Sequence, residues 1–225
     1  MNNRLQTIIY VVVATGAVLA AVMTGISHQG ADQNQLKIAR QEIGKQVFED
    51  FRADKARELE IVTYDEDAAR LESFSVKRDE LGQWVIPSHS DYPADAEQQM
   101  AAAATAFSLL TISDLVGTEK SLHEEFAVIE PNSDTLDVSN TGVGTKITVI
   151  DDEDQEYSLI IGNQVIRGNV AGADPHMQQV FYAARKPGHE IIFTVDLNMD
   201  VFETEFSKWI ESNLLDLNGL DLNHI

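Results

Sequence analysis

The sequence predicts an α+β protein: an N-terminal transmembrane helix followed by two small antiparallel-sheet-plus-helix units. Three observations carry this. No side chain from Leu5 to Ser27 is charged, the apolar spacing changes from helical to alternating near residue 58, and a run of strands closed by a helix occurs twice.

The chain opens with a short tail, residues 1–6, ahead of the apolar segment 7–27. A bilayer-crossing helix needs roughly 20 apolar residues, and Thr7 to Ile26 meets that length. The run exceeds the apolar region of a signal peptide, about 7 to 15 residues, so an uncleaved anchor is expected over cleavage before His28. Arg4 on one side and Lys37, Arg40 and Lys45 on the other leave the positive-inside count undecided. A short tail before a long acidic body fits a signal anchor, which puts the body outside the cytoplasm.

Residues 28–58 are expected to hold a juxtamembrane amphipathic helix, with Leu36, Ile43, Val47 and Phe51 on its apolar stripe and an interruption near Gly44. The first α+β unit, 59–131, begins with strands at 59–64, 71–78 and 82–87, and Gly82 serves the reversal between the last two. A helix follows, with Asp95 as its cap and Gln98 reaching back. Its buried face is Ala96, Met100, Ala103, Phe107 and Leu110, spaced four, three, four and three residues apart. The small alanines at 101–104 allow close approach to a sheet.

The Asn/Ser/Asp/Gly-rich stretch 132–144 reads as a linker. The second α+β unit, 145–218, contains "KITVID" and "YSLIIG" around an acidic turn, then "QVFYAAR" and "EIIFTVD" around "KPGH". A helix capped by Asp200 and Glu203 is expected to close it, with Phe202, Phe206, Trp209 and, one turn on, Asn213 and Leu214 along its buried side. Residues 219–225 read as the start of a further unit.

Composition excludes several chemistries. The chain has 16 basic and 37 acidic residues, and the part after residue 58 holds 9 of the former and 31 of the latter. Such a body repels phosphate backbones, so no nucleic-acid partner is expected. With no cysteine, disulfides, thiolate metal sites and thiol catalysis are excluded.

No motif reaches the specificity of a site, so no catalytic, cofactor-binding or metal-binding residue is assigned, no cofactor is expected, and the protein is read as a non-enzyme. The histidines at 28, 89, 123, 176, 189 and 224 show no metal-ligand spacing, and "HEEFA" has Ala127 where a zinc motif needs histidine. "SHSD", residues 88–91, sets Ser88, His89 and Asp91 close together, but triads are assembled across a fold, so a loop before a helix is expected. "DDEDQE" from Asp151 has Glu156 and Gly162 where a calcium loop needs glycine and an acid, so it reads as a solvated hairpin tip. "TGVGTK", 141–146, lacks phosphate-loop spacing and enters a strand.

In their order, the anchor, "GQWVIPSHSDYPADA", "HEEFAVIEP", "YSLIIGN", "VFYAAR" and "FETEFSKWIESNLLDLN" resemble the bacterial domain of unknown function 4340 proteins, common in planctomycete-like genomes. The resemblance implies a membrane-anchored extracytoplasmic protein, accessory to gliding-motility-type ABC export systems, and carries no functional residues over. The expected role is an extracytoplasmic (periplasmic) binding or scaffold protein on the bacterial cytoplasmic membrane, with an envelope protein partner and an oligomeric state left open. A hydrolase using paired carboxylates and a periplasmic ligand sensor are the alternatives.

Overall fold

A computed structural model describes residues 37, 39–132, 141–167 and 179–210. The chain divides at Glu42/Ile43 into two units. Of the first, the described part ends in a 3-10 turn at Arg40–Glu42. The expected anchor 7–27 lies outside the described residues, among which no helix is long and apolar enough to cross a membrane.

Among the described residues the second unit has nine strands: β1 (Ala56–Asp65), β2 (Arg70–Arg78), β3 (Trp84–Ile86), β4 (Tyr92–Pro93), β5 (Asp114–Gly117), β6 (Thr145–Asp151), β7 (Glu156–Arg167), β8 (Gln179–Arg185) and β9 (Ile192–Val195). Two α-helices accompany them, α1 (Glu97–Ser108) and α2 (Lys120–Glu125). All nine strands form one antiparallel sheet in the order β4-β3-β2-β1-β6-β7-β8-β9-β5. The architecture is α+β, but the strands expected in two sheets share one. The seam is β1 on β6, where Leu59 faces Val149 and Ile61 faces Ile147. Both strands bury alternate residues on the same face, so pairing them lets one layer cover both.

Alternation decides what each face does. Leu59, Ile61, Phe74, Val76, Ile147, Val149, Leu159 and Phe193 point to one side, where they pack with α1 in the main core. The expected helical face is the buried one: Ala96, Met100, Ala103, Phe107 and Leu110 are each at most 2% exposed. Ala103 and Ala104 are fully buried, which is what a close helix–sheet approach requires. On the opposite face, Val128, Ile160, Ala183 and Ile192 form a smaller core with Leu122 and Phe126 of α2 and its following loop.

Three local expectations are corrected. The segment 43–55 is not an amphipathic α-helix. Gly44 adopts φ +86°, and its N–H donates to Ile112 O at 2.8 Å while Ile112 N–H donates to Lys45 O at 3.0 Å. Left-handed backbone at Gly44 stops helical propagation, and the bonds go to a neighbouring strand segment instead. Val47 and Phe51 are still buried, with Phe48 stacked on Phe107 at 4.9 Å, whereas Ile43 is exposed. Of the expected stripe, burial selected Val47 and Phe51 without selecting the helix, and Leu36 lies outside the described residues.

The cap of α1 is also different. Ala96 occupies that position and has no side-chain acceptor to cap with, while the Asp95 N–H, to which Gln98 was expected to reach back, donates to Trp209 O at 2.9 Å. The entry to α1 is thus tied to the closing turns. Nor is the closing segment an α-helix through residue 210: it forms 3-10 turns at Met199–Phe202 and Phe206–Lys208. Asn198, not Asp200, supplies the cap by accepting from Asp200 N–H at 3.0 Å. Phe202 and Trp209 anchor these turns separately, with Trp209 fully buried and its Nε1–H donating to Glu203 O at 2.8 Å. Residues 211–218 of the expected helix and the expected further unit at 219–225 lie outside the described residues, as do 133–140 of the expected linker.

Candidate functional site

The layer over the main face does not extend to the end of the β1–β2 hairpin. Thr63, paired across the strands with Glu72, and Phe74, paired with Ile61, form the floor of an open hollow of about 540 Å³. Ser88 and His89 wall one side, and Thr204 comes from the closing turns. Thr63, Arg70, Glu72 and Phe74 line it because alternation puts them on one side of β1 and β2.

The wall is an unusual piece of backbone. Pro87–His89 makes a 3-10 turn, after which Ser90 and Asp91 adopt φ +59° and +55° in succession. Two adjacent non-glycine residues in the left-handed region cost of order 1–3 kcal/mol each, and such strain concentrates at functional sites. It turns the chain so that His89 stacks on Phe206, centroids 4.4 Å apart and planes 19° apart, with Phe74 edge-on at 6.4 Å. Tyr92 meets the same Phe206 at 5.3 Å and is 40% exposed. Arg70 Nη2 donates to Glu72 Oε1 at 2.6 Å, so the charges within the hollow are paired.

This is not a catalytic triad. Ser88 Oγ lies 3.1 Å from His89 Nδ1, the nitrogen that an orienting carboxylate would hold, and no hydrogen bond joins Asp91 to His89 among the described residues. Asp91 faces the other way. With Pro93 it borders a second hollow of about 570 Å³, lined also by Arg57, Lys77, Arg78 and Asp79. The 87–93 loop therefore partitions two hollows. In the second, Arg78 lies 4.7 Å over the Trp84 ring and 3.7 Å from Glu97, and Arg57 pairs with Asp154.

The remaining motifs are structural. In "DDEDQE", Asp151 Oδ1 accepts from Glu153 and Gln155 N–H at 2.9 Å each, Lys55 pairs with Asp152 at 2.6 Å and Arg57 with Asp154. The acids fold and neutralise the hairpin tip. Burial, then the nearby Asp151 carboxylate, raises the Tyr157 hydroxyl above its ordinary range, and that hydroxyl donates to Asp151 Oδ2 at 3.4 Å.

"TGVGTK" makes room for backbone. A Cβ on Gly142 would meet the backbone of Glu124, and one on Gly144 would lie 2.7 Å from Ala127 O. Beside "HEEFA", His123 Nε2–H donates to Glu190 O at 3.1 Å. Buried Arg185 donates to Val128 O at 2.9 Å and His189 O at 2.8 Å, clasping the α2 loop to the sheet; its burial lowers the guanidinium pKa. His28, His176 and His224 lie outside the described residues, among which no group of three or more His, Asp or Glu could hold a metal ion.

The expected loop at 88–91 is thus present, and what surrounds it comes from β1, β2 and the closing turns. Alternation along "LESFSVKR" signalled which residues of β2 share a face, but nothing local to the sequence signals Phe206 beneath His89.

Compared with known families, the model of a domain of unknown function (DUF4340) matches residues 84–225. No curated protein and no solved structure matches the chain.

Proposed function

The chain belongs to the DUF4340 family, and from that premise we propose that it is a membrane-anchored, extracytoplasmic binding or scaffold protein, accessory to an ABC-type envelope complex. Thr7 to Ile26 is the anchor and the acidic α+β body projects into the periplasm. It acts by recognition and not by catalysis, and the hollow at His89 is its recognition site.

One observation supports the reading above others: a strained loop holds an aromatic wall, His89 on Phe206, at the edge of a hollow whose floor charges are already paired. Backbone strain of this kind persists where surrounding structure over-determines it, and an aromatic wall beside a few fixed polar groups is a recognition surface. A glycosidase-type mechanism needs two carboxylates across the bond to be broken, whereas the hollow is lined by one, Glu72, paired to Arg70.

The test is photo-crosslinking in intact cells from position 88, with position 109 as the distant exposed control. Attachment of a defined envelope component from 88 and not from 109 is the expected result. Equal labelling from both positions, or none from 88, would overturn the assignment of the site. A reporter fused after Ile225 tests topology independently, and activity confined to the cytoplasm would overturn the extracytoplasmic placement.

A further inference from the structure

We propose that the His89 hollow binds a neutral, polyhydroxylated ligand: a sugar unit of a glycan chain. This rests on the hollow being the recognition site and adds the chemical class of what enters it. Three of its lining side chains, Thr63, Ser88 and Thr204, are hydroxyls, whereas Ser73 turns to the opposite face and donates to Glu60 Oε1 at 3.2 Å. Each of the three donates and accepts, and so matches a ligand whose groups do the same.

Charge argues in the same direction. The hollow contains one guanidinium and one carboxylate, bonded to each other at 2.6 Å, so neither a phosphate nor an ammonium group finds an uncompensated partner. In a chain of formal charge −21 an anionic ligand is disfavoured further. The pair leaves guanidinium N–H donors and a second carboxylate oxygen without other bonds among the described residues. Both are the kinds of group that pair with ring hydroxyls, which donate and accept in turn.

The third component is the wall. His89, held flat on Phe206, presents an aromatic ring at the rim, a surface on which C–H groups of a sugar face pack through weak polar contacts and burial. About 540 Å³ lies within the usual range for small-molecule sites. The hollow is open, so an internal unit of a chain enters as readily as a terminal one.

The experiment is saturation-transfer NMR on the full-length protein in a zwitterionic micelle free of sugar headgroups. The probes are maltohexaose, cellohexaose and chitohexaose at millimolar concentration, with a neutral Ser/Thr-rich peptide as competitor class. At least one hexasaccharide should receive transfer. His89→Ala should abolish it and Glu72→Gln should weaken binding roughly tenfold, as expected for loss of a hydrogen bond to a charged group. Leu109→Ala should leave it unchanged, and all variants should unfold at the wild-type temperature.

Absence of transfer to every hexasaccharide overturns the proposal, as does transfer that survives both His89→Ala and Glu72→Gln. Binding of the peptide alone overturns the glycan class while leaving the hollow as a site. Failure of crosslinking from position 88 is a separate result that removes the site itself.

Discussion

Replacing Gly162 by alanine is expected to be among the most damaging single-methyl additions in this fold. The new Cβ would lie 2.6 Å from Ala127 O and 2.8 Å from Val128 Cγ1, with Phe126 O nearer still. Two of these are backbone oxygens, so no side-chain rotation relieves the clash. Restoring ordinary contact means moving the 126–128 loop by about 1 Å. That loop is tied down by Asn163 N–H donating to Phe126 O at 2.9 Å, Asn163 Nδ2 donating to Glu125 O at 3.2 Å and Arg185 Nε donating to Val128 O at 2.9 Å. Overpacking costs about 1–3 kcal/mol and the loss of one of these hydrogen bonds about 1 kcal/mol, giving about 2–4 kcal/mol in all. Against a typical total stability of about 5–15 kcal/mol, this is a large fraction. Urea unfolding followed through buried Trp84 and Trp209 measures it. With a slope of about 2 kcal/mol per molar urea, the midpoint should fall by about 1–2 M at unchanged slope. Gly82→Ala is the comparison: at φ +77° but with nothing within 4 Å, it carries only the left-handed backbone cost, about 1 kcal/mol. Equal shifts for the two variants, or an unshifted Gly162→Ala, would refute the close-approach argument.

Asp151→Ala should lower stability by about 1–2 kcal/mol, because Glu153 and Gln155 N–H lose their acceptor at the hairpin tip; an unchanged thermal midpoint would show that the turn holds itself. Tyr157 has a raised folded-state pKa, so the folded protein keeps that proton longer than the unfolded chain does. Its contribution is therefore complete below the ordinary tyrosine value near 10 and lost as pH rises through the folded value, and Tyr157→Phe should flatten the alkaline limb of a stability–pH profile. Ala103→Leu adds bulk at a fully buried helix–sheet contact and should cost about 1–3 kcal/mol by denaturant unfolding.

Much of the fold was legible wherever one face of an element is buried. Alternation in "LESFSVKR" and "KITVID" marked β2 and β6, and the four–three spacing from Ala96 to Leu110 marked the buried face of α1, because burial acts directly on those periods. Illegible parts depended on distant partners. Val47 and Phe51 have helical spacing and are buried, yet after the left-handed turn at Gly44 the backbone of Gly44, Lys45 and Val47 bonds to Leu110 and Ile112 instead of continuing a helix. Asp95 looked like a cap, yet the helix begins one residue later and the Asp95 N–H goes to Trp209 O, a partner more than a hundred residues away. The single sheet was hidden for the same reason, since β1 and β6 carry no local mark of each other. At the candidate site, residues 88–91 read correctly as a loop, but the hollow exists only once β1, β2 and Phe206 assemble around it.

The β1–β6 seam also bears on where this protein can be cut. The family match begins at residue 84, inside the sheet: a fragment starting there keeps β3 but loses β1 and β2, the strands joining β3 to β6. It would present the β6 edge, with Ile147 and Val149 beside it, as an open template for another chain. Conservation boundary and folding boundary are therefore different places here. A recombinant piece meant to stay monomeric must begin before Ala56, and before Gly44 if the strap against residues 110–112 is to be kept.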